Sequence, residues 1–262
     1  MSFYIAPLAS GSKGNTTLIA HGDTKILVDA GLAPREISAR LLSCGVFPSE
    51  ISGIAITHEH SDHIKGAVSF VKKFGTPIYV HEKIIERTDI FDEIDDYVHP
   101  IKDGAFQIGD INVDCFRVPH DAVYTLGFSF KADNKKISLV TDIGLVTRPV
   151  YDNIYDSDIL MLESNHDLDM LEHSSYPYYL IKRIRSANGH LSNVDCADTV
   201  SRLGDNLKQL ILAHLSEENN KESIALDTAR AKIKSSVKIT AARQNEPIGI
   251  FEIESEKKSV TN

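Results

Sequence analysis

The segment Thr57-His58-Glu59-His60-Ser61-Asp62-His63 gathers four candidate metal ligands (His58, His60, Asp62 and His63) within six residues. It continues directly from an apolar run, Gly53–Thr57, which reads as a strand. A fold built on this segment must leave a polar crevice at that strand end, because packing gives no reason to crowd histidines there. Strand ends are rigid platforms for short site loops. Neutral imidazoles with a carboxylate form a mixed nitrogen and oxygen set suited to Zn²⁺, Mn²⁺ or Fe. His58 and His60 can point one way, and Asp62 and His63 another. That divides the loop between two adjacent ions.

Two ions need more ligands than one loop supplies. Three further candidates stand at the ends of apolar strands: His120 after Val113–Pro119, Asp142 after Ser138–Thr141, and His214 after Leu210–Ala213. Open α/β sheets build their crevices from residues at such carboxyl ends. These assignments use five of the 11 histidines. His21, His81, His99 and His173 match no motif and read as surface or core-edge residues.

The rest of the chain alternates strands and helices. Strands are expected at Phe3–Ala9, Thr16–Ala20, Lys25–Asp29, Pro77–Val80, Ile111–Val118, Leu126–Ala132, Lys136–Thr141, Ile159–Leu162 and Gln209–Ala213, with a possible sheet edge at Gly249–Ile253. Helices are expected at Pro34–Cys44, His63–Phe74, Tyr178–Ser186, Asn193–Leu203 and Glu222–Ser235. Lys25–Leu32 and Ile137–Leu145 echo one another, each an apolar strand running into Asp-x-Gly-Leu. The echo fits a duplicated α/β half equally with two unrelated buried strands that end in turn formers.

Composition bounds the class. With 42% hydrophobic residues and 28 Lys+Arg against 37 Asp+Glu, the chain is globular rather than disordered. One domain over residues 1–253 is expected, followed by a flexible tail at 254–262. Three scattered cysteines form no disulfide framework, which favours a reducing cytoplasm. No stretch approaches the roughly 18 apolar residues of a membrane span, and the N-terminus lacks a signal-peptide pattern. The net charge of -9 argues against a protein that coats nucleic acid nonspecifically. An enzyme that grips nucleic acid through metal ions and a local basic rim remains compatible with it.

The pattern His58-x-His60-x-Asp62-His63, with His120, Asp142 and His214 following in order, resembles the signature of the metallo-β-lactamase superfamily. The resemblance implies a four-layer αβ/βα sandwich: two mixed sheets face to face, helices outside, metals at one edge. It also implies that His58, His60 and His120 hold one ion, that Asp62, His63 and His214 hold the other, and that Asp142 bridges. Asp29 matches an earlier strand-end Asp that supports the site from behind. Within the superfamily, an acid at position 142 favours dinuclear phosphodiesterases, nucleases and thioester hydrolases over the antibiotic-cleaving branch. The interval from His120 to Asp142 leaves no room for the long arm of the tRNA 3′-processing relatives. The interval from Asp142 to His214 is too short for the extra domain of the RNase J-like and Artemis-like nucleases.

Four further motifs, Leu8–Thr16, Glu163–Asp167, Gly189–Asn193 and Ala213–Asn220, are similar to those of the YycJ (WalJ) family. That bacterial group accompanies the WalK/WalR regulatory system. It is regarded as a DNA exonuclease with a proposed part in mismatch repair. The implied chemistry is metal-assisted phosphodiester hydrolysis with two divalent ions, Zn, Mn or Fe. Asp62 would orient the attacking water and His190 would protonate the departing oxygen. Ser10, Ser12, Lys13 and Asn15 in the Gly-rich loop, and Ser192 and Asn193 at a helix start, are candidate phosphate contacts. His166 and Asp167 are candidates for the rim. The expected partner is nucleic acid, DNA in preference to RNA. The alternatives are a small or cyclic phosphodiester, a thioester or lactone, and a non-catalytic metal-binding role. Clustering of Lys13, Lys182, Arg183, Arg185 and Arg202 beside the metals would separate DNA from a small substrate. The sequence leaves the oligomeric state open.

Overall fold

The central strands of the fold are mostly apolar because both of their faces are covered. In the computed structural model, which describes residues 1–253, β12 (Gln209–Ala213) shows this most clearly. Its Ile211 and Ala213 join the core between the two sheets, while Leu210 and Leu212 join a second core under the outer helices. The two-residue period of a strand sorts the side chains.

The first six strands are β1 (Phe3–Ala9), β2 (Thr16–His21), β3 (Thr24–Val28), β4 (Gly53–Ala55), β5 (Ile78–His81) and β6 (Val98–Ile101). The others are β7 (Gly104–Ile108), β8 (Ile111–Arg117), β9 (Leu126–Ala132), β10 (Lys135–Val140), β11 (Ile159–Glu163), β12, β13 (Lys238–Ala241) and β14 (Phe251–Glu252). They form two seven-stranded mixed sheets, ordered β14-β1-β2-β3-β4-β5-β6 and β13-β12-β11-β10-β9-β8-β7. Among the described residues nine α-helices connect them: α1 (Pro34–Ser43), α2 (Ser61–Ile64), α3 (Ala67–Phe74), α4 (Glu82–Ile85), α5 (Arg148–Ile154), α6 (Leu168–Glu172), α7 (Tyr178–Ile184), α8 (Asn193–Ser201) and α9 (Glu222–Lys232). Phe3, Ile5, Leu18 and Leu27 of the first sheet share one buried cluster with Phe128, Phe130, Leu139 and Met161 of the second. The expected sandwich of two mixed sheets is therefore the observed one.

The internal echo lands on matching strands. β1 to β3 pair antiparallel and β3 to β6 parallel. Likewise, β8 to β10 pair antiparallel and β10 to β13 parallel. Asp29 follows β3 and Asp142 follows β10, so the two aspartates occupy corresponding strand ends in two similar halves.

Three departures have local causes. The single helix expected at His63–Phe74 is split into α2 and α3 at Gly66. A Cβ at Gly66 would lie 1.8 Å from the Leu32 carbonyl oxygen, so the chain passes there too closely for a continuous side-chain-bearing helix. β6, β7 and β13 were not expected: they are partly exposed, and Pro100 in β6 suits its place at a sheet edge. α4, α5 and α6 run for only four to seven residues, too short to display a helical period. The expected edge at Gly249–Ile253 shortens to β14, paired antiparallel with β1. The tail expected at 254–262 lies outside the described residues.

Candidate metal centre

The histidines at the crevice are held from behind. Thr57 donates its hydroxyl to Asp29 Oδ2 at 2.8 Å and lies 3.0 Å from His58 Nδ1. Its one proton is committed to Asp29, so the imidazole is the donor in the second contact. Asp29 also accepts from the Thr57 amide at 2.8 Å and from His63 Nδ1 at 2.7 Å. His120 Nδ1 donates to the Gly189 carbonyl at 3.2 Å. Glu163 Oε1 accepts from His214 Nδ1 at 2.7 Å and from His190 Nδ1 at 2.9 Å. His58, His63, His120 and His214 are thus held through Nδ1, so Nε2 is the nitrogen each can offer to an ion.

Candidate ligand atoms converge in sets. Ligand atoms of His58, His60 and His120 lie within 4.8 Å of one another, and so do those of Asp62, His63 and His214. Asp142 falls in one such set with His58 and His63, and in another with Glu163, His190 and His214. His58 Nε2, His214 Nε2 and Asp142 Oδ2 are buried without a hydrogen-bond partner. Buried acceptors without donors are costly unless something else satisfies them. Imidazole nitrogens and a carboxylate oxygen pointed at common centres are what divalent metal ions require, so the residues fit such ions.

Backbone strain marks the same place. Asp29, Asp142 and His214 have φ of 61°, 55° and 54°, in the left-handed region that side-chain-bearing residues avoid. Each costs on the order of 1–3 kcal/mol and persists because the surroundings over-determine it. At His214 the support is Ser10, whose hydroxyl accepts from the His214 amide at 2.8 Å.

The electrostatics follow from burial and close charges. Burial pushes His58 well below the usual imidazole value, and the neighbouring His63 adds to it. Burial also opposes charge on His63, but Asp29 and Asp142 outweigh it and raise its pKa well above normal. Burial would raise Asp142, yet His214 and His63 hold it well below the usual carboxylate range. His190 is raised to about 9, because Glu163 overcomes the opposing effect of burial.

The beta-lactamase superfamily domain matches this chain over residues 24–215, which contain every one of these ligand positions. The exodeoxyribonuclease WalJ of Streptococcus pneumoniae is 37% identical over 231 residues, covering 86% of this chain and 86% of that protein. The chain belongs to the metallo-β-lactamase superfamily, in its WalJ/YycJ group. The exodeoxyribonuclease YycJ of Bacillus anthracis is 35% identical over 230 residues, covering 86% of this chain and 87% of its own length. The fold is shared with the metallo-β-lactamase fold protein YhfI of Bacillus subtilis, at a TM-score of 0.75 and 17% identity, over 97% of this chain and 100% of that one.

In this WalJ/YycJ-group protein, the candidate phosphate residues take several places. Asn15 is buried, with Nδ2 at 3.2 Å from Asp62 Oδ2 and 3.1 Å from His63 Nε2, so it steadies two proposed ligands. Ser12 and Lys13 are exposed, and Lys13 Nζ pairs with Glu217 at 2.7 Å. Ser192 and Asn193 are a correction: both are buried and spent internally. Ser192 caps α8 by accepting from the Asp195 amide, and it donates to the Asp195 carboxylate at 2.6 Å. Asp195 thereby supplies the negative charge that the helix N-terminus favours. Asn193 is locked to Ser164 and Asn220. Ser10 is likewise buried, with its hydroxyl engaged by His214.

The basic rim is only partly assembled. Arg183 pairs with Asp121 beside His120, whereas Arg202 bonds back to Asp198 at the far end of α8. His166 is buried near the centre, and Asp167 caps α6. His21 is a buried residue between Asp110 and Asp133. An open groove of about 870 Å³ begins at His120 and Asn188 and runs over β8 to Asp103.

Two residues escaped the sequence reading. Glu163, wholly buried, fixes both His214 and His190, and also accepts from the amides of Ile143 and Leu191. Its signal was available, since an acid ending the apolar strand β11 is the feature that singled out Asp142. Thr57 was visible in the motif, but its bond to Asp29 depends on the parallel pairing of β3 with β4.

Proposed function

We propose that this protein is a dinuclear metal-dependent exodeoxyribonuclease that hydrolyses phosphodiester bonds. The observation that carries the reading is the set of buried, unpartnered ligand atoms on His58, Asp142 and His214, anchored from behind by Thr57 and Glu163. The names of the two relatives support DNA as the substrate. His58, His60 and His120 would hold one ion, Asp62, His63 and His214 the second, and Asp142 both. Zn²⁺, Mn²⁺ and Fe all suit this donor set. Bound there, such ions polarise the phosphoryl group and acidify water.

The chain's own groups do the rest. Asp62, partly open to solvent and held by Asn15, orients the water that attacks phosphorus. His190 keeps Nδ1 on Glu163 and gives a proton from its other nitrogen to the departing oxygen. Asp29, Thr57 and Glu163 keep the imidazoles in register. The side chains of Ser192 and Asn193 have no part, being spent elsewhere. A cytoplasmic site of action is supported by three unpaired cysteines and by the absence, among the described residues, of any helix long and apolar enough to cross a membrane.

A small or cyclic phosphodiester is the second reading. It is favoured by the ion pairs that neutralise Lys13 and Arg183 at the rim. Digestion of end-labelled single- and double-stranded DNA and RNA with added Zn²⁺ or Mn²⁺ tests both. Release of nucleotides from DNA ends is expected. Turnover of small phosphodiesters alone would overturn the nuclease reading.

A further inference from the structure

Helix α7 has no buried residue, yet it stands beside the metal centre. Its last carbonyl, at Ile184, accepts from the His190 amide at 2.8 Å, and its Arg183 pairs with Asp121 next to His120. The half-buried Leu180, Ile181 and Ile184 share the side of the helix toward the body. The opposite side carries Tyr178 and Tyr179, which are 73% and 74% exposed. Apart from Met1, no described large apolar side chain is as open to solvent.

The charge of this segment is also unusual for the chain. From Ser174 to Gly189 there is no Asp or Glu, while Lys182, Arg183 and Arg185 are all present. That is a local excess of positive charge in a protein with a net charge of -9. Spacing interleaves the two kinds of group. Tyr178, Lys182 and Arg185 fall at i, i+4 and i+7, and Lys182 Nζ lies 5.3 Å over the Tyr178 ring. Tyr179 and Arg183 form the adjacent row. Tyr178 is about 9 Å of helix axis from Ile184, and hence from the His190 loop.

We propose that α7 is a binding platform for single-stranded nucleic acid leading into the metal centre. Tyr178 and Tyr179 take unpaired bases on their rings, and Lys182 and Arg185 meet the phosphates between them. The occupant is a single strand because bases must be unstacked to lie on an aromatic face, whereas a duplex keeps them covered. The assignment rests on the nuclease reading above and adds how the strand is presented to that site.

The test is fluorescence anisotropy with labelled, nuclease-resistant phosphorothioate strands. An intact single strand, an abasic strand and a duplex of equal length are compared. The wild-type protein is expected to favour the intact single strand at least tenfold over the abasic one. The double variant Tyr178→Ala/Tyr179→Ala, with thermal melting unchanged, is expected to lose that preference, since each stacked base is worth about fivefold or more and two together exceed tenfold. Lys182→Glu/Arg185→Glu is expected to weaken intact and abasic strands alike and to flatten the salt dependence. Each lost phosphate contact takes about 0.7 from the slope of log K against log salt.

Equal wild-type affinity for intact and abasic strands, or a tyrosine variant that binds as the wild type does, would overturn the platform. Tight duplex binding, or binding only of a protein partner, would do the same. If the platform behaves as expected but no metal supports DNA digestion, the nuclease reading fails and the platform stands. Digestion of DNA with binding unchanged in the tyrosine variant has the opposite meaning.

Discussion

Replacing Glu163 by Gln changes one atom type at the back of the metal centre. Four N–H donors meet its two carboxylate oxygens: His190 Nδ1, His214 Nδ1 and the amides of Ile143 and Leu191, at 2.9, 2.7, 2.8 and 3.2 Å. A glutamine has one acceptor oxygen and an NH₂ group. If its oxygen faces the histidines, the NH₂ confronts the two amides and leaves both without an acceptor. A buried donor left unsatisfied costs about 1–3 kcal/mol, so the pair costs roughly 2–6 kcal/mol. If the side chain is reversed, the NH₂ faces the two rings. They can accept only by moving their protons to Nε2, which removes from the crevice the lone pair on His214. Loss of such an outer partner lowers metal affinity on the order of 10–100-fold. Glu163→Gln is therefore expected to lower the urea midpoint of the metal-free protein, to weaken one metal site, or to do both. Urea unfolding followed by circular dichroism and competition with a colorimetric chelator measure the two quantities. A variant with wild-type stability and wild-type metal affinity would refute the assignment of Glu163 as the group that orients His214.

Three other outcomes follow from the same geometry. Asp142→Ala is expected to abolish metal pairing and DNA digestion, and elemental analysis showing two retained metals with full activity would contradict the bridge. Gly31→Ala would set a Cβ 1.7 Å from the Asp62 carbonyl oxygen, so the loop carrying Asp62 must shift. A cost of about 3 kcal/mol, read as a melting temperature lower by roughly 6–12 °C, is expected, and an unchanged melt would refute the close approach. Cys115 is buried with its thiol pushed up to about 11 by that burial, and Cys196 is buried and also raised, so both remain protonated at pH 8. A thiol reagent should reach only Cys44 in the native protein and all three cysteines in denaturant, and rapid native labelling of a second thiol would count against the burial.

The sandwich was legible where its strands are apolar throughout. Leu210–Ala213 reads as a buried strand because a parallel strand covered on both faces shows no polar alternation. β7 and β13 were not legible, since partly exposed edge strands mix polar and apolar residues as loops do. The helix expected through His63–Phe74 broke at Gly66 because the neighbouring chain at Leu32 comes too close, and no local pattern reports that approach. Ser192 illustrates a different limit. Its place at a helix start was readable, but not the carboxylate of Asp195 that already occupies the cap.

By itself the sequence determined which side chains converge at the crevice. His58, His60, Asp62, His63, His120, Asp142 and His214 each sit just past an apolar strand or in the loop that follows one, and a sheet brings such ends to one edge whatever its register. Tertiary structure alone decided which nitrogen of each ring faces inward. That choice depends on hydrogen-bond partners distant in the chain, such as Glu163, which is 27 residues from His190 and 51 from His214. It meets them only because β11 lies in register between β10 and β12.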